Sequence, residues 1–392
     1  MGRDPTAHRV RFVPLGVGLA AAGVGAALGL VAERAAMGRP LVPGHKGGDG
    51  EQYGALHGRP IRLVTDDGTR LHVEIDETDP ATAVRHAGDP VTVIFSHGYS
   101  LSLDSWHFQR KALRGRYRLV FWDQRGHGRS ASGPEGSATI DRVGRDLQNL
   151  IAAVAPTGPL ILVGHSMGGM TIMSYAQDKP EEFAERVIGV AFISTSAGGL
   201  GEVDFGMPRL GKMIQRLGPG VVKVAAKSGN VVKRGREIGS DFESVLVRRF
   251  SFASPVSPEL VEFAADMIGS TRVDVISRYF PTFGEHDKRE ALAAMHGIEV
   301  LVLVGDHDLL TPASHSEEIV RRIPAAEQVL VRDGGHLVML EHPDVVNAHL
   351  AELVARSLRA AAHPHRAAKV RARAQRTGTP PGRRRRRGSA SA

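Results

Sequence analysis

Ser166 is the residue whose type and setting most directly suggest chemistry. It lies in the segment GHSMGG (164–169), between the apolar run Leu160–Val163 and the helical pattern Thr171–Asp178. A serine at a sharp turn from a strand into a helix exposes its Oγ, and glycines two positions away on either side allow the tight packing that such a turn requires. The first amides of the helix favour a negatively charged oxygen nearby. This setting predicts that Ser166 is a nucleophile.

The base and the acid that would activate Ser166 lie late in the chain. Asp308 follows the apolar run Glu299–Val304, and His336 follows the run Gln328–Val331. A serine hydroxyl is a weak nucleophile unless a base takes its proton. Residues just beyond the carboxyl ends of parallel strands meet at one edge of a sheet. We therefore expect Ser166, Asp308 and His336 to come together there as a catalytic triad.

Two aspartates compete for the role of the acid. Asp306 and Asp308 both lie in the segment GDHDLLTP (305–312), and either one could instead cap the helix that starts near Pro312. Asp308 lies within the loop rather than at the end of the strand, and this position favours it.

Two backbone amides are candidates for holding the oxyanion of an acyl-transfer reaction. One is the N–H of Met167, which follows the nucleophile. The other is expected from the loop after an early strand, where SHGY (96–99) places the N–H of Tyr99. The Tyr99 side chain is then available to line a pocket. We interpret His97 in the same loop as a structural, hydrogen-bonding histidine.

The segments around these residues alternate between strand-like and helical patterns. The strand-like runs are Val91–Phe95, Tyr117–Trp122, Leu160–Val163, Val187–Ile193, Glu299–Val304 and Gln328–Val331. Helical patterns lie near 104–114, 139–154, 167–178, 312–322 and 343–361. Upstream, Ile61–Thr65 and Leu71–Ile75 flank Asp66-Asp67-Gly68 and predict a hairpin. Continuous apolar strands separated by helices predict an α/β fold with a mainly parallel sheet flanked by helices.

This alternation is interrupted once, between residues 196 and 285. The interval is too long for a crossover between strands and contains helical patterns, so we expect an inserted helical cap. The cap divides the core into a first part, 59–195, and a second part, 286–362. The other predicted segments are a basic N-terminus (1–11), a transmembrane or signal segment (12–32), a linker (33–58) and a basic disordered tail (363–392).

Residues 12–32 form a run of 21 residues without a charge, of which five are glycine. About 20 apolar residues can span a bilayer as a helix. Three interpretations remain open: an N-terminal membrane anchor, a cleaved signal peptide, or a buried or interfacial helix. The anchor is preferred because the run is longer than the core of a signal peptide. It predicts a catalytic domain that faces outward in the cell envelope, with secretion after cleavage as the alternative.

Composition and charge exclude several classes of site. The absence of cysteine excludes disulfides, thiolate metal sites and a cysteine nucleophile. The chain has a net charge of +8, but residues 363–392 alone contribute ten positive charges and no acid. The high isoelectric point therefore belongs to the tail. An anionic membrane surface could bind such basic segments, whereas nucleic-acid binding is not expected because interleaved aromatics and a nucleic-acid-binding fold are missing.

The motifs together resemble the α/β-hydrolase superfamily, in the capped group that contains esterases, lipases, cofactor-free haloperoxidases, haloalkane dehalogenases and epoxide hydrolases. Five segments carry the resemblance, in the family's order: HGYS (97–100), DQRGHGRS (123–130), GHSMGG (164–169), GDHDLLTP (305–312) and GGH (334–336). The resemblance implies the α/β-hydrolase fold and an acid at Asp308, three residues after the glycine that closes its strand. It also implies a mainly structural role for Asp123, Arg125, Gly126 and Gly128.

The expected function is cleavage of a carboxylic ester, hydrophobic or lipid-like, through an acyl-enzyme on Ser166. Dehalogenases and epoxide hydrolases of this group carry an aspartate at that position, so the serine favours acyl chemistry. No metal or organic cofactor is expected. Trp106, Phe108 and Met167 suggest an apolar substrate group, or they pack between the cap and the body. An acyltransferase or a perhydrolase with the same triad and a catalytically silent binding protein are the alternatives, and the oligomeric state stays open.

Overall fold

A computed structural model describes residues 45–46, 50–79, 85–86, 89–200 and 247–363. Its centre is an eight-stranded sheet with the spatial order β8-β7-β6-β5-β3-β4-β2-β1. The strands are β1 (Arg59–Val64), β2 (Arg70–Asp76), β3 (Thr92–Ser96), β4 (Arg118–Trp122), β5 (Leu160–His165), β6 (Val187–Ile193), β7 (Glu299–Gly305) and β8 (Glu327–Val331). Neighbours from β3 to β8 pair in parallel, whereas β2 is antiparallel to both β1 and β4.

Nine α-helices lie wholly within the described ranges, between and after these strands. They are α1 (His107–Leu113), α2 (Ile140–Val154), α3 (Met167–Asp178), α4 (Pro180–Arg186), α5 (Pro258–Ser270), α6 (Val273–Glu285), α7 (Ala313–Arg322), α8 (Val338–Glu341) and α9 (Pro343–Ala362). Two 3-10 helices, Leu103–Trp106 and Glu290–Met295, complete the connections. The predicted α/β architecture is confirmed.

The sheet is buried on both faces because its strands alternate their side chains. In β3, Ile94 joins the core cluster that includes α2 and α3, while Val93 and Phe95 join the cluster that includes α1 and α9. Successive residues of a strand point to opposite faces, so a strand buried on both faces must be apolar throughout. This explains why the parallel strands read as continuous apolar runs in the sequence.

The N-terminal hairpin has the predicted turn. Strands β1 and β2 pair antiparallel, and Gly68 adopts a φ of 81°. Thr65 N donates to Thr69 O at 3.0 Å and closes the loop. A left-handed backbone at this position suits glycine, which has no Cβ to clash.

Two helices lie in the interval predicted to form a cap, and one of them packs on the edge of the sheet that carries the predicted site. Residues 201–246 of the interval lie outside the described chain. In α6, Tyr279 Oη donates to the carbonyl oxygen of Arg125 at 3.1 Å. Thr282 Oγ1 of the same helix accepts from the N–H of Ile140 at 3.2 Å. The division of the chain into core and cap stays a prediction.

The membrane-anchored location predicted from residues 12–32 is corrected by the structure. Within the ranges given above, no helix combines the length and the apolar character needed to cross a bilayer. The run 12–32 itself lies outside those ranges, as do residues 1–11 and nearly all of the basic tail. Its five glycines weaken a helix, so an uncharged stretch of spanning length is not by itself a transmembrane segment. The predicted transmembrane helix and cell-envelope location therefore do not stand.

Candidate active site

Ser166 occupies the junction between β5 and α3 in a strained conformation. Its φ is 50° and its ψ is −116°, a region that residues with a Cβ rarely adopt. The surrounding backbone holds it there. Ser166 N donates to Ile193 O at 3.0 Å, and Ser166 O accepts from Thr195 Oγ1 at 2.7 Å. The residue is half-buried and directly follows the last residue of β5, at the carboxyl edge of the sheet.

The glycines on either side of Ser166 are required by close contacts. A Cβ on Gly164 would lie 2.5 Å from the amide nitrogen of Gly169, and a Cβ on Gly168 would overlap the carbonyl oxygen of Ser96. Any side chain at either position would therefore push the helix away from the sheet. This explains the spacing of glycine around the serine in physical terms.

His336 and Asp308 form a hydrogen-bonded pair at the same edge. Nδ1 of the imidazole lies 2.9 Å from Oδ2 and 3.1 Å from Oδ1 of the carboxylate. The carboxylate also accepts from the N–H groups of Leu310 and Thr311, each at 2.9 Å, and from Thr311 Oγ1 at 2.9 Å. Burial opposes ionisation, but the neighbouring imidazole and the bonds from Thr311 outweigh it and hold the pKa of Asp308 below its usual value. Asp308 is therefore an anion at neutral pH.

The pairing fixes the proton on the imidazole. A carboxylate only accepts hydrogen bonds, so Nδ1 of His336 carries the hydrogen and Nε2 keeps a lone pair. The two nitrogens lie on opposite edges of the ring, and Nε2 therefore points away from Asp308. Among the described residues, the hydrogen bonds of the imidazole use Nδ1. The contact between Ser166 Oγ and Nε2 stays a prediction.

His165 connects the strand of the serine with the loop of the histidine. Its Nε2 lies 2.9 Å from the carbonyl oxygen of His336, and the two rings lie 4.8 Å apart. Burial lowers the pKa of His165 to about 3, so the ring is neutral and donates through Nε2–H. Sequence reasoning missed this residue and Thr311, although both lie inside the motifs that it singled out.

The structure distinguishes the two candidate acids by their contacts. Asp306 Oδ1 lies 2.6 Å from Nδ1 of the exposed His307, and Asp306 N donates to Val331 O at 2.9 Å. Asp308 is the aspartate that contacts His336. The competing Asp306 pairs with His307 at the surface. The catalytic role of Asp308 stays a prediction.

Tyr99 and Met167 lie where the oxyanion donors are expected. Met167 is the first residue of α3, and the N–H groups of a first helical turn have no partner within the helix. Tyr99 follows β3, and the preceding Gly98 packs against His165, the residue before the serine: a Cβ on Gly98 would lie 2.5 Å from Nδ1 of His165. The Tyr99 hydroxyl donates to Ile276 O at 2.6 Å. The side chain therefore ties this loop to α6.

His97 is a structural residue, as its position in the loop indicated. Its Nδ1 lies 2.7 Å from Gly98 O, and its Nε2 accepts from Gln124 N at 3.0 Å. Burial lowers its pKa well below the usual value, so the ring stays neutral. Gln124 Oε1 accepts in turn from Thr171 Oγ1 of α3 at 2.8 Å. This chain of bonds fixes the loop of Tyr99 against the helix that follows the serine.

The segment 123–130 supports the neighbouring loops. Asp123 accepts from Leu103 N at 2.8 Å and from Arg129 N at 2.9 Å. Arg125 forms a bidentate pair with the buried Asp146, with both N···O distances at 2.6 Å. The motif therefore stabilises the loops that follow β3 and β4.

Trp106 packs in the core. Its side chain is fully buried, and its ring lies 5.2 Å from that of Phe95. Met167 is also fully buried, and Phe108 packs on Tyr53 at 5.8 Å. These contacts account for the three residues by packing, so they give no evidence for an apolar substrate group.

Within the described ranges, one cluster has the composition of a metal site. Ligand atoms of Glu327, His349 and Glu352 lie within 4.8 Å of one another. Arg356 Nη2 lies 2.7 Å from Glu327 Oε2. A guanidinium therefore already neutralises the carboxylate that a cation would need.

A comparison with known proteins identifies the family to which the chain belongs. The family model described as "alpha/beta hydrolase fold" matches residues 91–343, which is more than half of the chain. The chain belongs to the α/β-hydrolase family. The resemblance carried by the five sequence motifs is thereby confirmed.

Several named proteins are similar to this α/β-hydrolase. A dihydrolipoyllysine-residue acetyltransferase component of an acetoin cleaving system from Cupriavidus necator is 27% identical over 68% of the chain, which spans 64% of that relative. An sn-1-specific diacylglycerol lipase from Mus musculus is 26% identical over 66% of the chain and 80% of the relative. A thermophilic esterase from Thermogutta terrifontis superposes with a TM-score of 0.57 at 24% identity, covering 76% of this chain and 98% of that one. The last likeness shows the fold alone.

Proposed function

We propose that this α/β-hydrolase cleaves a carboxylic ester through an acyl-enzyme on Ser166, with His336 as the base and Asp308 as the acid. The observation that carries the proposal is the hydrogen-bonded pair of His336 and Asp308, whose loop His165 connects to the strand that leads into the strained Ser166. A lipase among the similar proteins supports it. The lipase is the remaining support for a hydrophobic or lipid-like substrate.

In the first step, Nε2 of His336 takes the proton of Ser166 Oγ as the oxygen bonds to the ester carbonyl carbon. The carbonyl π electrons move to its oxygen, and the N–H groups of Tyr99 and Met167 stabilise that charge. The anionic Asp308 stabilises the imidazolium. The bond to the alkoxy oxygen then breaks, His336 returns the proton to it, and the alcohol leaves an acyl-serine.

In the second step, water replaces the alcohol. His336 removes a proton from the water as the water oxygen bonds to the acyl carbon. A second tetrahedral oxyanion then forms and is stabilised by the same two N–H groups. When this intermediate collapses, Ser166 Oγ leaves and recovers the proton from His336. The products are a carboxylic acid and the free enzyme, so no external electron donor or acceptor is needed.

Acyl transfer is the second candidate, because two of the curated relatives are named as acetyltransferase components. The first step would be unchanged, and an acceptor other than water would take the acyl group. Product analysis with competing alcohol and thiol acceptors distinguishes the two reactions. A silent binding protein would not react with a fluorophosphonate at all.

The decisive experiment is labelling with a fluorophosphonate together with a p-nitrophenyl ester series in the wild type and in Ser166→Ala. We expect covalent modification at Ser166 and a loss of turnover of about 10⁴-fold or more in the variant. Ser130→Ala, which alters another serine near the edge of the sheet, is the control and should keep its labelling. Near-normal turnover in Ser166→Ala would disprove the proposal.

A further inference from the structure

Glu341 bridges two segments that are far apart in the sequence. One of its carboxylate oxygens, Oε1, accepts from Ala253 N at 2.7 Å, from Ser254 N at 2.5 Å and from Ser254 Oγ at 2.8 Å. The other, Oε2, accepts from Gly335 N at 2.5 Å. One carboxylate thus receives four hydrogen bonds, and bonds to an ionised acceptor are stronger than neutral ones.

The residues on both sides of His336 are attached to the same segment, 251–254. Gly335 reaches it through Glu341, and Leu337 N donates directly to Ser251 O at 2.9 Å. Gly335 also packs tightly against this segment, since a Cβ on Gly335 would lie 2.6 Å from the carbonyl oxygen of Ser251. The backbone that carries the imidazole is therefore held from outside its own loop.

We propose that Glu341 is a positioning residue for His336, a role that rests on the proposed function. Asp308 fixes the orientation of the imidazole ring through its contact with Nδ1, and His165 contacts the carbonyl oxygen of His336. Neither contact fixes the backbone of the preceding residue. Glu341 supplies this constraint by bonding Gly335 to the segment that leads into α5.

The constraint matters because proton transfer depends on the distance between Nε2 and the serine hydroxyl. A misplacement of about 1 Å in a catalytic group can reduce the rate about 100-fold. The loop of His336 begins with Asp333, a non-glycine residue with a φ of 53°, followed by two glycines. Two glycines in sequence give a backbone wide freedom. The bond from Gly335 N to Glu341 limits that freedom at the residue next to the base.

The test compares Glu341→Gln and Glu341→Asp with the wild type. The amide of Gln keeps one accepting oxygen, so it can satisfy either segment 251–254 or Gly335 but not both. Aspartate keeps the charge but is one methylene shorter and cannot span the two segments. We expect kcat to fall on the order of 10-fold to 100-fold in both variants, with KM changed by less than about twofold.

The matched control is Glu352→Gln, the same chemical change on the exposed face of α9, which should leave kcat unchanged. Titration with a fluorophosphonate, run to completion, gives kcat per active site, so partial unfolding does not distort the comparison. Unchanged kcat in Glu341→Gln, a change confined to KM, or full activity in Glu341→Asp would overturn the positioning role. If Ser166→Ala remains active, the proposed function fails; if only the Glu341 variants behave as wild type, the function stands and this inference fails.

Discussion

Replacing Asp308 by asparagine tests the triad with almost no change in volume. In the wild type one carboxylate oxygen accepts two backbone N–H groups, and the other faces Nδ1 of His336 and Thr311 Oγ1. The amide has one accepting oxygen, which we expect to stay with the two backbone donors. Its NH₂ group then faces Nδ1, which must accept, so the proton moves to Nε2. The imidazole can no longer take the proton of Ser166.

The size of the effect follows from this change of tautomer. In serine proteases the equivalent substitution reduces kcat about 10⁴-fold. At 1.36 kcal/mol for each factor of ten, this corresponds to about 5.5 kcal/mol of lost transition-state stabilisation. The loss exceeds what one hydrogen bond contributes, because the base is disabled and not merely weakened.

The assay is steady-state hydrolysis of a p-nitrophenyl ester, with the concentration of folded enzyme checked by circular dichroism. Asp306→Asn is the matched control, since Asp306 contacts the exposed His307 and not His336. We expect its kcat to stay within about threefold of the wild type. A kcat in Asp308→Asn within about tenfold of the wild type, or a larger loss in Asp306→Asn, would refute the assignment of the acid.

Two further predictions concern packing and pH. Gly168→Ala should lower the free energy of unfolding by about 1–3 kcal/mol, measured in urea, because its Cβ overlaps the carbonyl oxygen of Ser96. Gly284→Ala is the control, because a Cβ at that position meets open space. Equal stability of the two variants would contradict the packing argument. Burial lowers the pKa of His165 to about 3 and of His127 to about 4, so the unfolded chain, whose histidines titrate near 6.5, binds more protons below that pH. The free energy of unfolding should therefore fall as the pH drops from about 6.5 to about 4, by up to ~1.4 kcal/mol per pH unit and histidine; equal or greater stability at about pH 5 would contradict it.

The sheet and the pairing of His336 with Asp308 could be predicted because they depend on local patterns. Strands buried on both faces must be apolar throughout, so a run such as Leu160–Val163 lies within two residues of the strand Leu160–His165. Residues just beyond such runs then meet at one edge of the sheet by topology alone. The short helix Pro180–Arg186 was not predicted, since seven residues give too few turns for a clear helical period.

Other features depend on contacts that a local pattern does not contain. Trp106 is apolar whether it faces a pocket or the core, and only the position of Phe95 decides between them. The bonds of Glu341 join residues more than 80 positions apart. The run 12–32 shows the opposite limit: its length and lack of charge met a criterion for a transmembrane helix, whereas no helix of the described residues is long and apolar enough to cross a bilayer.

The tether between Tyr99 and α6 has a consequence for how this site can vary. The proposed oxyanion donor is the main-chain N–H of Tyr99, while the hydroxyl of the same residue donates a hydrogen bond to Ile276 O of α6. Any amino acid except proline brings an amide hydrogen to that spot. Exchange of the side chain can therefore change the contact between this loop and α6 and leave the proposed backbone donor in place, so that the two roles of residue 99 can change independently.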